Sequence, residues 1–242
     1  MKILRWTLKL HKWIALIIGI QILFWVLGGL VFSALDIKKV RGEHKIAEKP
    51  HLPLTPESII PLKEALKANR IVKIHHASLD RVVNRPVWRI MDEDEKHTTI
   101  DGITGDIISP ISFELATQIA EADYAGAGEL KSVSFEQSPS SEYRPQTPVW
   151  IARFDDGDNT TIYIDPDSAM VRARRSTTWR VFDFFWKLHI MDYDDGENFN
   201  HPLLILASLI ALIVVLSGFT LLFFRLRRLY RMRKARLDVK TG

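Results

Sequence analysis

The chain has 242 residues, 47% of them hydrophobic, a formal charge of +4 and no cysteine. The missing cysteines exclude a disulfide framework, thiol chemistry and a thiolate metal site. A basic balance can signal nucleic acid, but here the positive charge sits in the two tails, so no nucleic-acid partner is expected.

Residues 1–12 form a basic segment carrying Lys2, Arg5, Lys9 and Lys12. It precedes the uncharged run "WIALIIGIQILFWVLGGLVFSA", residues 13–34. Twenty-two apolar residues are enough for a helix to cross the bilayer hydrocarbon. A secretory signal has a shorter core, so an uncleaved anchor is expected over cleavage near Ala34. Gln21 lies mid-span, where a polar side chain tends to bond to another helix, and Gly28-Gly29 permits close helix approach.

Residues 35–51 are polar and read as a linker. Residues 52–110 read as one α+β unit. Thr55 would cap a helix and Pro56 suits its first turn, with Ile59, Leu62 and Leu66 at helical spacing. Pro61 kinks that helix or delays its start. Three strand-like stretches follow, "IVKIHHASLD", "RPVWRIMD" and "HTTIDGITGDIISPI", with glycine turns in the last. Residues 111–175 repeat the order: a helix capped at Ser112, then "GELKSVSFEQ", "TPVWIARFDD" and "TTIYIDPDSAMVRARR". The period is about 60 residues, a duplication of a small unit that buries little alone. The expected fold is α+β, two units each of one helix and a three-stranded antiparallel sheet.

Residues 176–202 begin with the dense aromatic stretch "TTWRVFDFFWKLHIMDY", an interfacial segment by composition. The acids of "DYDDGEN" read as a water-facing turn. Residues 203–224, "LLILASLIALIVVLSGFTLLFF", form a second uncharged run of 22, and residues 225–242 a basic tail. Lysine and arginine collect on cytoplasmic flanks. Both termini are therefore expected in the cytoplasm, and residues 35–202, with 21 basic and 28 acidic residues, outside it.

These features together resemble the PepSY-associated transmembrane proteins. "TTIYIDPDSAMV" resembles the end of a PepSY unit, "LKLHKWIALIIGIQILFWVLGG" the family's first histidine-bearing membrane motif, "FDFFWKLHIMDY" its second histidine motif, and "VVLSGFTLLFFRLRR" its closing span. The resemblance covers about residues 4–232, and the order of the motifs is more specific than any one of them. Ala15 stands where the family often has glycine, Ser217-Gly218 where larger members usually have Thr-Gly, and two spans where many members have four or more. The resemblance implies a bacterial inner-membrane protein with a periplasmic domain, linked either to haem-dependent electron transfer and iron-siderophore reduction or to regulation of extracytoplasmic proteins.

Haem iron takes histidine on one or both faces, so His189, His11 and His201 are the candidate ligands. A 22-residue helix is about 33 Å long, and His11 and His189 flank opposite ends of such a span. They cannot share one iron if the spans run as drawn. A homodimer, or another membrane subunit, would supply self-pairing about a twofold axis. The competing readings are interfacial anchoring for His11, a membrane-edge marker for His189 and a helix cap for His201. Adjacent His75 and His76 on a strand should point opposite ways, one packed and one solvated. His44, His51 and His97 read as surface residues. No catalytic constellation is recognised.

Overall fold

The computed structural model describes the backbone of residues 2–48 and 58–241, with side chains described outside 2–11, 221 and 233–241. The chain divides into two compact units, residues 35–182 and a membrane-helix unit of residues 1–34 and 183–242.

In the first of these, α2 (Ile37–Val40) and a short 3-10 turn (Glu43–Lys45) precede α3 (Leu62–Ala68). Pro61 is the residue before the first turn of α3, so the proline sets the start of the helix, as its missing N–H requires. Thr55 and Pro56 lie outside the described residues. Strands β1 (His76–Val82), β2 (Arg85–Met91) and β3 (His97–Asp101) follow in an antiparallel meander. Then come α4 (Phe113–Asp123), β4 (Glu129–Glu136), β5 (Val149–Asp155), β6 (Thr161–Ile164) and β7 (Val171–Arg175), the strands again antiparallel in sequence order. Ser112 caps α4 by accepting from the Leu115 N–H at 3.3 Å. The second sheet has four strands where three were expected. The stretch "TTIYIDPDSAMVRARR" turns at Asp165 and returns as β7.

α3 covers one face of the first sheet through Ala65, Ile90 and Ile100. α4 covers the second through Ala116, Ala120, Ala152, Phe154, Ile162 and Ile164, in a core that also takes in Val82 and Val87 of the first sheet. The two sheets thus share one interior, as units too small to bury a core separately must.

The same bonds recur in both halves. The indoles of Trp88 and Trp150 donate to the carbonyls of Ile60 (2.9 Å) and Ile111 (3.1 Å), just ahead of each helix. The amides of Ile60 and Ile111 donate to the carbonyls of Gly102 and Pro166, both at 2.8 Å. Asp101 accepts from the amides of Ile103 and Thr104, and Asp165 from those of Asp167 and Ser168. Four residues on, Gly105 and Ala169 both take a left-handed φ, 80° and 54°. One turn is therefore built twice. In the second copy Tyr163 and Ile164 are additional, and two residues preserve the alternation of faces along a strand.

Residues 36–48, expected as linker, are folded. Val40 is buried, Ile46 bridges to Tyr124, and Gly42, at φ 72°, lies against the stem of Arg174. Lys45 donates to Asp156 (2.8 Å), Asp158 (3.0 Å) and the Thr160 hydroxyl (2.8 Å). Its side chain is 12% exposed and that of Asp156 is 7%. Polar composition cannot distinguish such a segment from a linker, because the partners of Lys45 lie more than a hundred residues away.

Burial opposes the charge on Asp156. The Lys45 ammonium and the Thr160 and Tyr124 donors outweigh it and hold the carboxyl far below its usual range. Asp158 is lowered in the same way by Lys45 and the Thr178 amide, and Asp165, against burial, chiefly by the Ser168 amide. Carboxyls depressed in the folded state stabilise it above their unfolded pKa, about 3.9, and lose that contribution as pH falls through the folded values. Unfolding midpoints followed by tryptophan fluorescence in detergent should thus hold from about pH 5 to 7 and fall below about pH 4. Asp165→Ala, which leaves buried amides without an acceptor, should cost about 2 kcal/mol in the same assay, and Asp165→Asn less.

Candidate functional site

The candidate histidine His189 lies in the membrane-helix unit, near the end of α5 (Thr177–Ile190). The preceding helix α1 spans Lys2–Ala34 and the following helix α6 spans Pro202–Thr241. Pro202 suits the first turn of α6, where no amide is needed. At 40 residues, α6 is about 60 Å long, twice the hydrocarbon thickness.

The last carbonyls of any helix lack intrahelical partners. In α5 two of them are taken by side chains of α1. Gln21 Nε2 donates to the Leu188 carbonyl at 3.2 Å, and Trp25 Nε1 to the His189 carbonyl at 2.8 Å. One turn further along α1, Gly28 is buried, and a Cβ there would meet His189 Nδ1 at 3.6 Å and the Phe185 carbonyl at 3.7 Å. Phe32 stands edge-on to the His189 ring, with centroids 5.6 Å apart, and to Trp186 at 6.0 Å. Gln21, Trp25, Gly28 and Phe32 follow i, i+4, i+7, i+11 spacing, so one stripe of α1 makes the whole contact.

α5 stops at Ile190 because Met191 takes a left-handed φ of 56°. That conformation is unfavourable for a side chain-bearing residue, and burial of Met191 against Ile18, Ala207 and Ala211 offsets it. The seam between α1 and α6 uses Ile18, Ile22 and Trp25 on one side and Leu204, Ala207, Ile210 and Ala211 on the other. The first ten residues of α6 therefore pack against the middle of α1, while Gly28 and Phe32 face α5.

Between the two helices, Asp192 is buried, and its carboxylate accepts from the amides of Asp194, Glu197 and Asn198. The Asn198 amide leads in holding its carboxyl below the usual range. The reading of this stretch as a wholly water-facing turn is corrected at Asp192; Asp194 and Asp195 are exposed. Trp186 Nε1 donates to the Gly196 carbonyl at 3.0 Å and Lys187 Nζ to the Asp194 carbonyl at 2.8 Å, fastening the loop to α5.

His189 and His201 share one feature: the Nδ1 of each is buried without a hydrogen-bond partner. The His201 carbonyl also accepts from the Ile205 amide at the start of α6. His11 lies on α1, 14 residues before Trp25, or about 21 Å along the helix; its side chain is outside the described residues. His76, the first residue of the edge strand β1, and His75 just before it are both exposed, so the expected division into one packed and one solvated residue does not occur. His44 is exposed, His97 half-buried and His51 outside the described residues. Among the described residues no three histidine or carboxylate side chains gather as a metal ion would need.

The unpartnered Nδ1 of His189 lies in an apolar setting beside the Trp25 and Phe32 rings, and imidazole is a side chain that can hold haem iron.

The pattern of the PepSY-associated TM region family matches residues 8–240. The chain belongs to that family. Both long helices are apolar enough to cross a bilayer, over Lys12–Ala34 and Pro202–Met232. This family member is thus a membrane protein with two spanning helices flanking a soluble domain. No curated protein and no solved structure matches the chain.

Sequence reasoning identified Gln21 and Gly28 as helix-contact positions but missed Trp25 and Phe32. The four-residue spacing of Gln21 to Trp25 was the available signal. Gln21→Leu leaves the Leu188 carbonyl unpaired in an apolar setting and should destabilise the membrane-helix unit by about 1 kcal/mol in bicelle unfolding titrations. Combining it with Trp25→Phe should cost more than either change. Gly28→Ala should be tolerated, since its methyl meets only ordinary contacts, whereas Gly28→Leu should displace α5.

Proposed function

We propose that the chain is a bacterial inner-membrane protein with both termini in the cytoplasm and two PepSY-like units outside it. Haem would be held at the end of α5 by His189, and the chain would work as an electron-transfer or ferric-siderophore-reductase-like subunit. The buried, unpartnered Nδ1 of His189 carries this reading. Haem, when bound, supplies one-electron chemistry. The protein's own contribution is positional. Gln21 and Trp25 fix the backbone that carries the imidazole, and the Trp25 and Phe32 rings keep its surroundings apolar. A second ligand would come from a second copy of the chain, with His189 or His201 pairing with its own counterpart about a twofold axis. His11, about 21 Å away along α1, would serve a separate site.

The second reading is a non-enzymatic, membrane-anchored module that binds an extracytoplasmic protein. It draws on exposed Phe113 and Phe135, which flank Trp150 beside the free edge strand β4.

The visible spectrum separates the two. Full-length protein purified in mild detergent and supplemented with haem should show a Soret band that shifts on reduction. His189→Ala should abolish it, and His201→Ala should alter its position or intensity. An absent band, or one unchanged in His189→Ala, refutes the haem reading and leaves the binding module.

A further inference from the structure

The turn between β5 and β6, residues 156–160, collects contacts from two distant parts of the chain. The first is the segment that leaves α1. Lys45 reaches Asp156, Asp158 and Thr160, and the Ala47 amide and Lys45 carbonyl bond to the backbone of Asp123 and Ala125. Tyr124 closes the group by donating to Asp156 at 2.8 Å. The second is the start of α5. The Thr177 amide donates to the Asp158 carbonyl at 2.7 Å, the Thr178 amide to the Asp158 carboxylate at 3.2 Å, and Arg180 Nη1 to the Asn159 carbonyl at 3.1 Å. Arg180 is further held by both carboxylate oxygens of Glu142, at 2.8 and 3.0 Å.

We infer that this turn is a charge clamp coupling the two tethers of the soluble domain, the segment leaving α1 and the segment forming α5, so that a displacement of one is transmitted to the other. Asp158 is the shared element, because it binds Lys45 and the first amides of α5 at once. The first half of the domain shows what the clamp adds. There Asp92 braces the equivalent turn through the amides of Asp94 and Lys96, just as Asp156 does through those of Asp158 and Thr160. Asp94 is exposed in that turn. The turn itself is part of the repeated unit, and the docking of two tethers belongs to the second copy. The inference stands independently of haem binding, because every group in it lies within residues 35–182.

The chain has no cysteine, so paired spin labels can be introduced directly into the full-length protein. Lys39→Cys with Lys131→Cys reports the first tether, Val181→Cys with Lys131→Cys reports the second, and Glu121→Cys with Lys131→Cys is the internal control. All four labelled positions are exposed, and none makes a clamp contact itself. Electron–electron distance distributions should be narrow for all three pairs in the parent. Lys45→Met should broaden both tether pairs and leave the control narrow. Unchanged tether pairs overturn the clamp, and broadening of the first pair alone overturns the coupling. If the control pair also broadens in Lys45→Met, Asp158→Ala, which keeps the Lys45–Asp156 contact, decides in its place: broadening of both tether pairs supports the coupling, and narrow distributions refute it.

Discussion

A helix that ends among apolar neighbours must find partners for its last carbonyls, because lipid offers none. The end of α5 meets that requirement with the Gln21 amide and the Trp25 indole of α1. Much of the membrane-helix unit follows from those two bonds. They fix which stripe of α1 faces α5, and that stripe has a glycine where the histidine comes close. They also leave the middle of α1 to be shared with the first turns of α6, so that α1 has one companion at Ile18 and another at Phe32. Two equal spans drawn side by side from their apolar runs would not have this arrangement. The second span begins against the middle of the first, and the aromatic helix lies along what remains.

The soluble domain rests on a different economy. One small unit, with its tryptophan latch and its aspartate turn, is used twice, and the two copies share an interior that neither could enclose alone. The copies then diverge where the chain must connect to the membrane helices. The additional strand β7 presents Arg174 to Asp123 in a bidentate pair and leads, through the Ser176 cap, into α5. Arg174 also supplies the surface on which Gly42 lies. A buried pair of this kind is weak evidence for stability but good evidence for position, since removing either partner strands the other. The second copy thus carries the attachment, and the first copy the remaining half of the core.

The legible parts of this molecule were those written in local pattern. The uncharged runs, the Ser112 cap and the paired "PVW" strands all rest on neighbours in sequence, and periodicity or capping chemistry reports them directly. The strand β7 was hidden because "IDPDSAMV" reads equally as a strand's end or as a hairpin, and only the pairing of Thr161 with Arg175 distinguishes them. The folded state of residues 36–48 was hidden for a stronger reason. Lysine in a polar stretch is ordinary, and nothing local marks Lys45 as the partner of Asp156. Asp192 illustrates the same limit: four acids in seven residues suggest water, yet one of them is turned inward to brace its own loop. The candidate histidines could be enumerated from sequence, but their surroundings could not, because Trp25 and Phe32 reach His189 across more than 150 residues of chain.

Energetics bears on what His189 is for. A buried polar nitrogen without a partner costs on the order of 1–3 kcal/mol, and an apolar side chain of similar size would fill the space beside Gly28 and Phe32 without that penalty. The cost is not needed to hold α5 in place, because Gln21 and Trp25 act on backbone carbonyls that any residue at 188 and 189 would offer. A mere marker of the membrane edge would gain by keeping its polar atoms toward the headgroups, as tryptophan and tyrosine do. Here the nitrogen is turned in against α1 instead. The packing and the imidazole are therefore separable: helix termination accounts for the first, and the functional proposal rests on the second.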